Sequence, residues 1–171
     1  QMVQLLQEMT DGAPDPRFVW AKGGRFVDAF RPTVEPEGLD TAQEVLFHRD
    51  YHLERTAQML RKADVFIFTL GLTECWEDIE TKRVFPMCPG TVAGTFDASA
   101  HGFRNFIHAE VLADLIRMRD LLLGFNPAMR LLLTVSPVPL TATASQTHVV
   151  PATTYSKAVL RAAAGEAMAG F

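Results

Sequence analysis

An α/β domain with a mostly parallel sheet is the fold class this chain predicts, on three observations. Two runs, DVFIFTLGLTECW at 64–76 and RLLLTVSPVPLT at 130–141, are β-branched, aromatic and apolar, and each ends abruptly in small and polar residues. Strands covered by helices on both faces of a parallel sheet have this composition. Amphipathic helical patterns alternate with the two runs, as right-handed crossovers between parallel strands require. The 171 residues, 48% of them hydrophobic, are enough for one such domain with a real core.

The elements follow from periodicity and punctuation. Val3, Leu5, Leu6 and Met9 predict a short helix that Asp11-Gly12 ends. Residues 12–40 carry Gly, Pro and charge, with Phe18, Trp20, Phe26 and Phe30 interspersed. That pattern reads as a long loop or weak hairpin whose aromatics pack onto the body of the domain, since linkers rarely hold so many. Thr41 and Glu44 have capping-box spacing, and Leu46, Leu53, Ala57 and Leu60 share one face of the helix they open, to about Lys62.

A strand at 64–70 is followed by irregular chain over 76–102 with at most one hairpin. A helix over about 103–123 places Ile107, Val111, Leu115 and Leu122 on one stripe and stops at Gly124 and Pro127. A strand at 130–136 and a loop to about Ala152 lead to a last helix, capped by Thr153 or Thr154, with Val159, Leu160, Ala163 and Ala167 facing inward. Two strands do not finish a doubly wound sheet, so others are expected from 12–35 or from chain outside this sequence. The first residue is not Met, and Gly170-Phe171 closes directly on a helical pattern. The chain is accordingly expected to be an internal piece of a longer protein.

Composition narrows the function classes. Sixteen basic and 20 acidic residues give a formal charge of −4 without blocks of one sign. A nucleic-acid footprint would need clustered Lys and Arg. No stretch is apolar for long enough to span a bilayer, and no secretory leader pattern opens the chain. Cys75 and Cys88 lack the partners of a structural zinc site and read as reduced thiols in the cytoplasm. No cofactor motif occurs: there is no Walker loop, no G-x-G-x-x-G and no G-x-S-x-G.

Chemistry is expected outside the carboxyl ends of the strands, where ligand sites in open parallel sheets collect. Gly71 can free the backbone there to expose N–H groups toward a developing oxyanion, with Thr73, Glu74 and Trp76 beside it. Helix capping by Thr73 and Glu74, and core packing by Trp76, explain the same residues. Ser136 ends the second strand, the prolines of SPVPL stiffen the loop beyond it, and His148 lies further along that loop. A Ser136–His148 pair would place a nucleophile beside a base; the alternative is that His148 contacts substrate or anchors its loop. Asn105, His101 and His108 are weaker candidates. His48 and His52, four apart on a helix, are expected to face solvent.

Taken together, DAFRP at 28–32, TLGLTECW at 69–76, VFPMCPGTVAG at 84–94, TVSPVPLTAT at 134–143, THVV at 147–150 and TTYSKAVLR at 153–161 resemble the GSCFA-domain family. The resemblance covers most of the chain. It implies a flavodoxin-like three-layer α/β/α fold, similar to SGNH/GDSL-like hydrolases, with a mostly parallel and here incomplete sheet. It also implies a serine esterase or acyl hydrolase acting on an ester such as an acetylated saccharide. An acyltransferase or a non-catalytic ligand-binding domain of the same fold is the alternative.

By that resemblance the nucleophilic serine of the family's Gly-Ser-Cys-Phe-Ala motif would precede Gln1, and the Asp-x-x-His block would follow the last helix. The fragment itself would be inactive. In GLTE, Gly71 corresponds to the oxyanion-hole glycine, Thr73 stands where asparagine would be, and Glu74 takes the aspartate position. Those three and His148 become the catalytic set; Trp76, Asn105 and Ser136 become substrate-binding. No cofactor, metal, nucleic acid or membrane enters this reading, and the implied partner is a small-molecule or saccharide ester.

Overall fold

The computed structural model describes residues 1–170; the closing Phe171 lies outside them. Seven strands and four α-helices follow in the order α1 (Met2–Asp11), β1 (Val19–Lys22), β2 (Arg25–Asp28), α2 (Ala42–Leu60), β3 (Val65–Leu70), β4 (Glu74–Asp78), β5 (Val84–Phe85), β6 (His101–Asn105), α3 (His108–Phe125), β7 (Arg130–Val135) and α4 (Val149–Ala169). They divide into two compact units. The first comprises Gln1–Met59 with Cys75–Gly102, the second Leu60–Glu74 with the described residues from Phe103 onward.

The flavodoxin-like, mostly parallel sheet is not what forms. The strands make three small sheets, β1-β2, β3-β7 and β5-β4-β6. β1–β2 and β4–β5 run antiparallel, and β3–β7 is parallel. Connection length explains the difference. Gly23-Gly24 alone joins β1 to β2, with φ of 55° and 84°, the left-handed pair that a two-residue hairpin turn demands. Parallel strands need a crossover of about a dozen residues or more, and the chain between β3 and β7, which includes α3, supplies the one that joins a parallel pair.

In the first unit the aromatics of the early segment make the core. Phe18, Trp20, Val27, Ala29, Phe85 and Ala93 are buried together, and Phe30 and Trp76 pack against them. Phe85 sits among three rings, with centroids at 4.9 Å (Trp20), 5.9 Å (Phe30) and 6.1 Å (Phe18). Gly94, at φ 71°, lies so close that a Cβ there would meet the Trp20 ring at 2.9 Å. α1 is tied in by its polar face: the Gln4 side chain accepts from Val84 N–H at 2.8 Å, and Glu8 takes two hydrogen bonds from Arg49, at 2.6 and 3.1 Å.

α2 opens with the expected capping box, Glu44 N–H donating to Thr41 Oγ1 and Thr41 N–H to the Glu44 carboxylate. Its buried stripe is Val45, Arg49, Leu53, Ala57 and Leu60, so an arginine occupies a core position.

In the second unit β3 and β7 pair in register from Val65↔Arg130 to Leu70↔Val135. Their expected cover on both faces is absent on one: Val65, Ile67 and Leu132 are exposed. Thr69 and Thr134 share a 2.7 Å hydrogen bond on that same exposed set of positions. Val111, Leu115, Met118 and Leu122 of α3 and Ala152, Leu160, Ala163 and Ala167 of α4 are buried, in the helical spacing read from the sequence. Two boundaries move. Residues 103–105 belong to β6, not to the helix, and α4 is capped by His148, whose Nδ1 accepts from Val150 N–H at 3.2 Å. Pro151 then falls in the first turn, where a missing N–H costs nothing, and Thr154 instead donates to Val150 O.

Candidate functional site

A groove of about 260 Å³ opens on the first unit, between α2 and the chain that leaves β2. Helical spacing builds one wall: Val45, His48, His52 and Arg55 recur at three- and four-residue steps, with Tyr51 beside them. Val27, Asp28, Arg31, Val34, Glu35 and Leu39 form the other. That second wall is held by backbone pairing, Phe26 N–H to Leu39 O at 2.9 Å and Leu39 N–H to Phe26 O at 2.8 Å. Gly38 makes the pairing feasible, since at φ 75° a Cβ there would lie 3.1 Å from Phe26 O. Arg25 adds hydrogen bonds to Gly38 O at 3.0 and 3.2 Å.

Beneath the groove lies an ion network with little access to water. Arg49 and Glu8 are each 5% exposed. Arg49 Nη1 also reaches Asp28 Oδ2 at 3.3 Å, and Arg31 Nε reaches the same oxygen at 2.9 Å. Arg83 approaches Glu8 at 3.6 Å and stacks over the Phe18 and Phe30 rings, while Arg49 stacks over Phe30 at 5.2 Å. Asp28 is therefore shared by two arginines, and Arg31 spends only Nε on it. Arg55 donates Nη1 to Gln58 and lies 4.8 Å from the Tyr51 ring centroid.

His52 is half-buried, with Nδ1 3.5 Å from Thr56 Oγ1. Burial holds its pKa below the ordinary histidine value, helped by the charges of Arg31 and Arg49 and opposed by Asp28 and Glu8. His48 is exposed at the rim, as the sequence predicts, whereas His52 turns into the groove. The signal available in the sequence was Arg49 inside an apolar stripe, which requires buried acidic partners and marks the polar side of α2.

The residues predicted as a site are distributed over both units. In the second unit, the end of β3 is locked by the protein itself. Lys157 Nζ donates to Gly71 O at 2.7 Å, and burial lowers the Lys157 pKa. Ser156, fully buried, accepts from Thr73 N–H at 2.9 Å. Thr143 donates to Glu74 at 2.7 Å and shares a hydrogen bond with Ser145. Ser156, Lys157 and Thr143 are partners that sequence reading did not single out.

Ser136 Oγ accepts from Val138 N–H, and His148 Nδ1 is occupied by its capping role. The two share no hydrogen bond. Trp76 belongs to the aromatic core of the first unit, edge-on to Phe96 at 5.4 Å. His101 is packed there too, against Phe85, and its Nδ1 accepts from Asp97 N–H. Two buried oxygens, Thr73 Oγ1 and Asn105 Oδ1, have no hydrogen-bond partner. Among the described residues no group of three His, Cys, Asp or Glu side chains is arranged to hold a metal, and no helix is long and apolar enough to cross a membrane.

Small hairpin sheets, a parallel strand pair and a polar-walled groove on α2 define an α/β protein with an open concavity. The chain matches the GSCFA family model over residues 2–171 and belongs to the GSCFA family. No curated protein and no solved structure matches it.

The expectation of an internal fragment is not supported by the family match, which runs over residues 2–171, nearly the whole chain. The serine esterase reading, with its hydrolase and SGNH/GDSL assignments, is also overturned. The sheets are mostly antiparallel, no nucleophile elbow is present among the described residues, and Ser136 and His148 are engaged elsewhere. The acyltransferase and ligand-binding alternatives were framed on that same flavodoxin-like fold, which does not form.

Proposed function

We propose that this protein is a small-molecule-binding module whose site is the α2 groove. The observation that carries the reading is a concavity of about 260 Å³ in which polar side chains project from apolar walls over a fixed ionic floor. Sites for small molecules combine these features, and this volume is just below the usual range of about 300–1,000 Å³, which fits a ligand of modest size. A chain with two cysteines, Cys75 and Cys88, fits a reducing compartment such as the cytoplasm.

An amide-shift NMR titration with benzyl alcohol, benzoate and benzylamine tests the site. Shifts are expected to concentrate in residues 27–39 and 45–55. Val34→Trp, at a position 58% exposed, should fill the groove and abolish them without unfolding the protein. Shifts confined to other segments, or unchanged in V34W, would refute the reading.

A second reading rests on the partnerless Thr73 Oγ1 and Asn105 Oδ1 beside Gly71 and Glu74. Buried polar atoms require a partner from protein, water or ligand. A saccharide ester bound there, without hydrolysis, would supply hydroxyl donors. Ser136 and His148 would flank it from the loop after β7. With 6-O-acetylglucose as probe, wild type should show shifts at Gly71–Glu74 that Thr73→Val removes. Absence of shifts in the wild type, or their survival in T73V, defeats this second reading.

A further inference from the structure

Resting on the groove as the binding site, we infer that its ligand is a small organic anion, an apolar body with a carboxylate-type head, and that binding takes up a proton on His52. The charge inventory supports the anion. Arg31 lines the groove with both Nη groups unused by any acceptor among the described residues, and Arg55 leaves Nε and Nη2 unused. A planar guanidinium presents paired donors that match a carboxylate. The acidic side is largely neutralised already: Asp28 is taken by Arg31 and Arg49, and Glu8 by Arg49 and Arg83. Glu35 remains, exposed at the rim, where water screens it. Val27, Val34, Leu39 and Val45 supply the apolar wall for the body of the ligand.

The protonation half follows from where His52 sits. Its surroundings are Arg31 and Arg49 on one side, Asp28 and Glu8 on the other, and Thr56 one turn along α2. Half-burial and the two arginines hold its pKa below the ordinary histidine value, disfavouring the imidazolium. An anion placed between Arg31, Arg55 and His52 reverses the balance, because it offsets the arginine charges and pairs with an imidazolium. The proton comes from solvent and is held on the ring; no covalent bond changes. Linkage then makes affinity rise as pH falls through the ordinary histidine range near about 6.5, with a limit of about tenfold per pH unit for one proton.

Calorimetric and NMR titrations of the full chain test this, with benzoate as probe and benzyl alcohol and benzylamine as neutral and cationic counterparts, at pH 5.5 and 8. Benzoate is expected to bind at least about tenfold tighter than either counterpart, and tighter at the lower pH. Its heat should vary with buffer ionisation enthalpy as required for proton uptake. His52→Gln should remove most of the pH dependence and proton uptake, while His48→Gln retains them; Arg55→Leu, at an exposed position, should weaken benzoate and spare benzyl alcohol.

Equal binding of the three probes in the groove, or preference for benzylamine, overturns the anion and leaves the groove reading standing. Benzoate preference with no pH dependence, or dependence lost in H48Q instead of H52Q, overturns the role of His52. No groove shifts with any probe would defeat the groove reading itself.

Discussion

Arg49→Met is expected to destabilise the protein by about 3–5 kcal/mol, the range for breaking one partner out of a buried ion pair. The guanidinium serves Glu8 through two hydrogen bonds and Asp28 through a third contact, and all three side chains are at most 10% exposed. Methionine fills most of the volume but leaves the Glu8 carboxylate with only Arg83, at 3.6 Å, to balance it. Asp28 keeps Arg31. The double variant Glu8→Leu with Arg49→Met should recover most of the loss, because an apolar pair of similar volume often replaces a buried ion pair at little cost. Urea denaturation followed by circular dichroism reads both. A single-variant loss below about 1 kcal/mol, or a double variant worse than the single, would show that Glu8 is solvated in the folded protein.

Phe85→Ala should cost a comparable amount, about 3–5 kcal/mol, by removing the ring at the centre of the aromatic core. Phe85 is 2% exposed and lies between Trp20, Phe30 and Phe18. The cavity cannot close readily, because Gly94 already touches Trp20 and the hairpin holding Trp20 is fixed by its two-residue turn. Phe85→Leu should cost less, since it keeps most of the buried apolar surface. Near-ultraviolet dichroism should register a changed Trp20 environment in F85A before unfolding begins. A cost for F85A below about 1 kcal/mol would mean that the ring cluster is loosely packed.

Arg49 also shows how a groove can form on a structural element and still escape a reading by periodicity. An apolar stripe identifies α2, and Leu53, Ala57 and Leu60 are buried as expected. The stripe does not reveal that Arg49 completes it, because that depends on Glu8 from α1 and Asp28 from β2 arriving at the same place. The groove inherits the same dependence. His52 faces it only because residues 31–39 fold back over α2 through the Phe26–Leu39 pairing.

The expected strand-end site illustrates the converse. The run ending at Gly71 does become a strand paired in parallel with 130–135, as its composition predicts. Local sequence could not show that Lys157 and Ser156, more than 80 positions away, occupy Gly71 O and Thr73 N–H.

By itself the sequence determined the helices, the capping box of α2, the two apolar strands and the family, because these depend on spacing within a few turns of chain and on local motifs. The tertiary structure decided the sheet pairing, which side of α2 faces a groove and which polar groups line it. Turn length forces hairpins where a parallel sheet was expected, and desolvated charges from distant segments fix Arg49 and Asp28. Pairing and desolvation both depend on residues far apart in the chain, so periodicity carries no record of them.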